Sequence, residues 1–411
     1  MDTTYRLDYG AGSTLDIQLD PASLVADWRT SPCPSVPAEE AVRQALREPL
    51  DYPPLDQWTT PGDHIVLAVE EACPAAEHIV PVVVRELLRA GVEPADITLL
   101  RGPAQRASVP QSWLASLPAD IGGALNIRQH DPHDEQQLAF LGVGADSQPI
   151  YLNRQLCEAD LVVPIGSLKG HDSWGYWGIG GQLYPSFSDV TARKRHPSIP
   201  LSLTQRQRDQ RRREAQDVLW LLGSAFTLQV VPAGGDQLLA AYAGSMEKVT
   251  QAGERLFNEA WSRPAVPSAD LVIAGLTVGH DEEVWCNLAR ALMLSLSLVE
   301  DGGAIVLCTE WQHAPGSGLQ LLAQAESPDT AGPALRRSRA ADAPLAELLR
   351  SALERVRVLL YSRWSVNQVE QLGVGAITRP EQITKLAHQY SRCILLGHAQ
   401  LTELSTPVAA L

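Results

Sequence analysis

The chain has 411 residues, 48 acidic and 33 basic side chains, a formal charge of −15 and a pI near 5.1. At roughly 150 residues per domain this length predicts two domains, and 45% hydrophobic with 20% charged residues excludes disordered and fibrous classes. The acidic balance argues against a nucleic-acid surface, and no apolar run approaches the ~20 residues of a membrane helix.

The polar start has no signal-peptide core, which predicts a cytoplasmic protein. Residues 5–19 alternate loosely and predict an edge hairpin. Helical apolar spacing covers 38–47, after Pro37. A buried-strand pattern at 64–69, a helix at 78–90 closed by Gly91, and a strand at 96–100 form the first α/β unit. Such repetition predicts a parallel sheet with right-handed crossovers. The next strand, 161–165, runs into a loop containing Gly166, Gly170, Gly175, Gly178, Gly180 and Gly181. The basic stretch 206–213 holds five arginines without an aromatic platform, so it reads as a solvated helix face. Strands at 225–231 and 238–243 are joined by Gly234-Gly235, and a helix follows at 245–261. Residues 263–267 read as a linker. The pattern then restarts with strands at 270–274, 303–308, 356–361 and 392–396 and helices at 284–298, 344–355 and 380–389. Small residues and arginines at 327–341 read as a mobile loop. The expected architecture is two α/β domains, 1–264 and 265–411, with mainly parallel sheets and an interdomain cleft.

Six scattered cysteines without a Cys-x-x-Cys pair suggest neither a zinc knuckle nor a disulfide framework. The chemistry concentrates in Lys169-Gly170-His171-Asp172-Ser173-Trp174-Gly175-Tyr176-Trp177-Gly178-Ile179-Gly180-Gly181. This run follows a strand, where parallel sheets place their ligand crevices. Its glycines admit backbone close to a ligand, His171 can exchange a proton near neutral pH, and Trp174, Tyr176 and Trp177 can wall a flat group. A tight glycine turn with core aromatics accounts for the same residues. A dinucleotide-dependent oxidoreductase rests only on the glycine-rich turns, a weak signal.

The stretch 153–185 resembles the signature region of the nickel-pincer lactate racemase family. Asn153-Arg154-Gln155-Leu156-Cys157-Glu158-Ala159-Asp160, Gly166, His171 and Pro185 carry the resemblance, with weaker matches at Ala243-Gly244-Ser245-Met246-Glu247 and Gly316-Ser317-Gly318. It implies racemisation or epimerisation of a small-molecule 2-hydroxy acid. A histidine takes the hydroxyl proton while hydride moves from the α-carbon to a nickel-bound pyridinium pincer, then returns to the other face. By resemblance His171 is the catalytic acid–base and His196, 25 residues on, the nickel ligand, which suits imidazole chemistry. Glu70, Asn287 and Arg290 fall on substrate-binding positions. Trp174, Trp177, Gly178, Gly180 and Gly181 fall in the loop expected to hold the nickel-pincer nucleotide. Three positions depart from the pattern. The second acid–base histidine becomes Ala104, the substrate-binding arginine becomes Cys73, and the lysine that tethers the pincer becomes Gly181. These departures imply non-covalent cofactor binding and leave Glu70, Glu71, His130, His133 and His280 as replacement bases. The alternative is a catalytically inactive paralogue that binds a small ligand or the cofactor. Oligomeric state is not legible in the sequence.

Overall fold

A computed structural model describes residues 2–70, 73–102, 121, 123–144, 147–170, 175–197, 199–201, 203–235, 237–278, 285–325, 328–338 and 340–405. The chain divides into two compact units, Cys33–Ala260 and Met1–Pro32 with Trp261–Leu411. The sequence reading assigned residues 1–32 to the N-terminal domain. They contribute an antiparallel hairpin, β1 (Thr3–Tyr9) and β2 (Ser13–Leu19), and a strand, β3 (Leu24–Trp28), to the other unit. The reason is apolar: Leu7, Leu15, Ile17 and Leu19 pack into the core of that unit, alongside Leu271, Ile273, Val306 and Leu395. Alternation makes one hairpin face apolar, but alternation does not name the sheet that covers it.

The Cys33–Ala260 unit is built on β4 (Ile65–Val69), β5 (Ile97–Arg101), β6 (Asn126–Gln129), β9 (Leu161–Ser167), β10 (Phe226–Gly234) and β11 (Gln237–Ser245). A separate antiparallel pair, β7 (Leu138–Val143) and β8 (Pro149–Asn153), lies between them in sequence. The six strands run in the order β11-β10-β9-β4-β5-β6. All neighbours are parallel except β10 and β11, the predicted hairpin. Every residue of β4 is buried, as expected for a central parallel strand covered on both faces. The helix Ala76–Arg89 supplies Ile79, Val80, Val83 and Leu87 to the same core. Each such fully buried aliphatic side chain contributes about 1.5–3 kcal/mol relative to exposure. The arginine-rich stretch is helix Gln205–Leu222, begun by a Thr204/Gln207 capping box and ended by Gly223 in the left-handed region.

The second unit continues with β12 (Ser262–Arg263), β13 (Ala269–Gly275), β14 (Val299–Cys308), β15 (Arg357–Tyr361), β16 (Gly375–Ile377), β17 (Cys393–Leu396) and β18 (Glu403–Leu404). Its six-stranded sheet has the order β16-β15-β14-β13-β17-β3 and is parallel throughout. Two readings change here. Arg263, expected in a linker, pairs within β12 against β18. Most of the expected loop at 327–341 is helix Pro328–Arg337, whose Ala331 and Leu335 are buried. Arginines at the end of that segment suit the negative end of a helix, a favourable placement that a composition reading takes for loop character. Among the described residues no helix is long and apolar enough to cross a membrane.

Both sheets reverse direction once. In the Cys33–Ala260 unit the chain builds outward through β4, β5 and β6, then returns to place β9 on the other side of β4. In the second unit it builds through β13, β14, β15 and β16, then returns to place β17 beside β13. Each reversal leaves a crevice beyond the carboxyl ends of two adjacent strands, the usual ligand position in such sheets.

Candidate active site

Glu70 follows the last residue of β4, and Ser167 ends β9, so both stand at the first of these reversals. Glu70 Oε2 accepts hydrogen bonds from the Ser167 amide at 2.7 Å and the Ser167 hydroxyl at 3.0 Å. Its Oε1 faces Lys169 Nζ at 3.5 Å. The side chains of Lys169 and Glu70 are 14% and 22% exposed, so the pair is reachable yet partly desolvated. Beneath it, Gln182 and Gln229 exchange amide hydrogen bonds of 2.6 and 2.7 Å. Gln229 also donates to Thr227 Oγ1, which donates to the Pro164 carbonyl. This buried network satisfies its amide groups and fixes the floor of the crevice. The Tyr176 hydroxyl is buried beside the Lys169 backbone, within the field of Glu254 and Glu70, and makes no aligned hydrogen bond among the described residues. Desolvation foremost, then those carboxylates, pushes its pKa far up, so it stays a neutral donor.

His196 is placed differently. It caps helix Val190–Arg195, and its Nδ1–H donates to the Ala192 carbonyl at 3.1 Å. That bond fixes the tautomer and leaves the Nε2 lone pair unprotonated. Nε2 has no hydrogen-bond partner, with Glu214 Oε2 3.5 Å away. Burial chiefly lowers the His196 pKa to about 4, so the ring is neutral near pH 7. Trp177 and Tyr184 pack edge-on against it, at ring separations of 5.7 and 5.0 Å. Trp177, expected to wall a cofactor, is buried in the apolar cluster of Leu152, Tyr184, Ala192, Ala215 and Val218. Gly178 turns the chain with φ +74°. Gly180 and Gly181 are packing positions. A Cβ at 180 would meet the Ala215 carbonyl oxygen at 2.5 Å, and one at 181 would meet the Trp177 Cβ at 2.6 Å.

The remaining predicted residues divide into three groups. His171, Trp174, Ala104, Glu71 and His280 lie outside the described residues. His130 is buried and locked: its Nε2–H donates to the Ser188 carbonyl at 3.0 Å, and Nδ1 accepts from Asn153 Nδ2 at 3.0 Å. It therefore has no free lone pair for base work, whereas His133 is exposed. Asn287 and Arg290 lie on helix Trp285–Leu298 of the second unit, with Arg290 Nη1 donating to Asn287 Oδ1 at 2.9 Å. Cys73 is buried, and its thiol donates to the Pro74 carbonyl at 3.7 Å.

A nickel-pincer group can be tested against these positions. His196 fits as a nitrogen donor, because its buried Nε2 is unpaired and its tautomer is set by a backbone carbonyl. Among the described residues there is no group of three or more His, Cys, Asp or Glu side chains placed to hold a metal ion. Position 181 does not fit as an attachment point, since Trp177 occupies the space of any side chain there.

Residues 9–192 match the lactate racemase N-terminal domain family. That match covers less than half of the chain and marks residues 9–192 as similar to this domain. A curated lactate racemase from Lactiplantibacillus plantarum is 21% identical over 281 residues, 66% of this chain; the chain spans 65% of that relative's length. The fold agrees with the lactate racemase apoprotein of Thermoanaerobacterium thermosaccharolyticum at a TM-score of 0.79 and 18% identity, covering 98% of this chain and all of that one. A structural-genomics crystal structure from Thermotoga maritima agrees at 0.65 and 14%, covering 91% of this chain and all of that one.

Sequence reasoning missed Ser167 and the Gln182–Gln229 pair. Glu70 and Ser167 stand 97 positions apart, and no local spacing links them. The usable signal was positional: Glu70 and Ser167 lie one and two residues past the ends of the predicted strands 64–69 and 161–165.

Proposed function

We propose that this chain is a divergent member of the lactate racemase family, a nickel-pincer-dependent racemase or epimerase of a 2-hydroxy acid, an isomerase. The observation that carries the reading is His196, a neutral, buried imidazole with a fixed tautomer and an unpaired Nε2. In this assignment His196 ligates nickel, His171 accepts and returns the substrate hydroxyl proton, and Asn287 and Arg290 hold substrate oxygens. Trp177 and Tyr184 hold the His196 ring, and Gly180 and Gly181 let the loop pack. The group, when bound, supplies the hydride acceptor, and it is held without a bond to residue 181.

A second reading, an inactive paralogue that binds a small ligand or the cofactor, is favoured by Gly181 and by the buried thiol at position 73. One experiment separates the two. The protein is purified from cells that make the cofactor, and its nickel content and the mass of any released small molecule are measured. Nickel with a pincer-sized molecule, lost in His196→Ala, supports the enzyme. His171→Ala should keep the metal and lose exchange at the substrate stereocentre. Absence of both metal and molecule, or unchanged turnover in His171→Ala, overturns it.

A further inference from the structure

The crevice at the β4/β9 reversal holds one group the assignment above leaves without a role. Lys169 carries the only ammonium beside Glu70 among the described residues, and it approaches Oε1 at a long 3.5 Å. Glu70 is already engaged on its other oxygen by two Ser167 donors, which draw part of its charge away from the lysine. An ammonium has three N–H directions, so one long contact leaves donor capacity pointing elsewhere. The side chain is mostly shielded from water, which strengthens any further ion contact it makes. The adjacent Tyr176 hydroxyl, neutral and without an aligned partner among the described residues, is a second donor in the same corner. An ammonium just past the carboxyl end of β9, with a phenol hydroxyl buried beside its backbone, matches the needs of one carboxylate.

We propose that Lys169, positioned by Glu70 and Ser167 and assisted by the Tyr176 hydroxyl, is a carboxylate-binding group at the β4/β9 reversal. The ligand class is a small organic carboxylate. Glu70 then acts as a positioning residue. Its carboxylate repels a ligand anion but holds the lysine in register, and a neutral ligand gains nothing from the ammonium.

The assignment rests on the racemase reading for the identity of the carboxylate, but its test does not. Binding of L-lactate, of propionate and of the uncharged 1,2-propanediol to the purified full chain is followed by ligand-observed NMR. The wild-type protein should bind both carboxylates and not the diol. Lys169→Met should weaken carboxylate binding at least tenfold. Lys169→Arg should recover part of it, because the charge is kept while the geometry changes. Lys169→Gln, which keeps a hydrogen bond to Glu70 without charge, serves if the methionine variant does not fold. Tyr176→Phe should cost about threefold. Carboxylate binding within twofold of wild type in the folded methionine or glutamine variant overturns the proposal, as does equal binding of the diol. Charge-dependent binding without racemisation keeps the proposal and removes the enzyme reading. Racemisation with an unchanged KM in the lysine variants does the reverse.

Discussion

The two sheet reversals use one topology for opposite electrostatics. At β4/β9 the crevice carries a carboxylate, an ammonium and a hydroxyl, partly open to water. At β13/β17 the corresponding positions hold Thr277, His398 and Gln400, a neutral set. Thr277 Oγ1 hydrogen-bonds His398 Nδ1, and Gln400 Nε2 donates to the Thr277 carbonyl at 2.7 Å. His398 lies against Trp261, and burial chiefly lowers its pKa to about 4. Strand order thus decides where a polar cluster stands, and the two or three residues after each strand decide what it can bind. The charged reversal suits an anionic ligand; the neutral one is tied by the Thr277–His398 and Gln400–Thr277 hydrogen bonds, with Gln400 Oε1 left buried and unpaired.

The largest expected effect probes the neutral side. His398 and His196 both have folded pKa values near 4 against an ordinary 6.5. Between these values the unfolded chain binds more protons, so stability is complete above about pH 6.5 and falls as pH drops toward 4. Each histidine contributes on the order of 3 kcal/mol to that loss. Urea unfolding at pH 7, 5.5 and 4.5 should show the decline, and His398→Gln should flatten it. Equal stability at pH 7 and 4.5 would break this half of the comparison.

Packing beneath the charged side comes next. Gly181→Ala places a Cβ against Trp177 and should destabilise by about 1–3 kcal/mol, seen as a lower urea midpoint. An unchanged midpoint would mean that the loop has room for a tether after all. Cutting one polar contact at each reversal has a smaller effect. Ser167→Ala and Thr277→Val should each cost about 1 kcal/mol. Only the first should alter L-lactate binding, and an effect of Thr277→Val on binding would erase the distinction. Smallest of all, Trp220 is 81% exposed on the Gln205–Leu222 helix, outside both crevices. Trp220→Ser should shift stability by less than about 0.5 kcal/mol and leave binding alone.

Much of the fold was legible because periodicity reports local burial. The helix at 38–47 and the strands around 64–69, 96–100, 161–165 and 356–361 stand within two residues of expectation. Hairpin β7–β8 escaped because β7 is half-exposed without alternation, although β8 alternates. Helix Pro328–Arg337 escaped because small residues and arginines look like a loop when the buried face is not visible. Within the site, the resemblance named Glu70 and His196, but not what each touches. Tertiary packing places Trp177 edge-on against His196 and sets Gly181 against Trp177, contacts that local pattern does not carry.

The sequence alone determined the α/β class, the central strands with most of their helices, and the glycine loop after β9, since each depends on neighbours within about ten positions. Only the tertiary structure decided that residues 1–32 join the second sheet, that Ser167 and Lys169 share one carboxylate, and that His130 is locked while His196 keeps a lone pair. Those outcomes depend on groups far apart in the chain meeting at strand ends, and on which polar atoms burial leaves unsatisfied. Neither quantity is carried by local pattern.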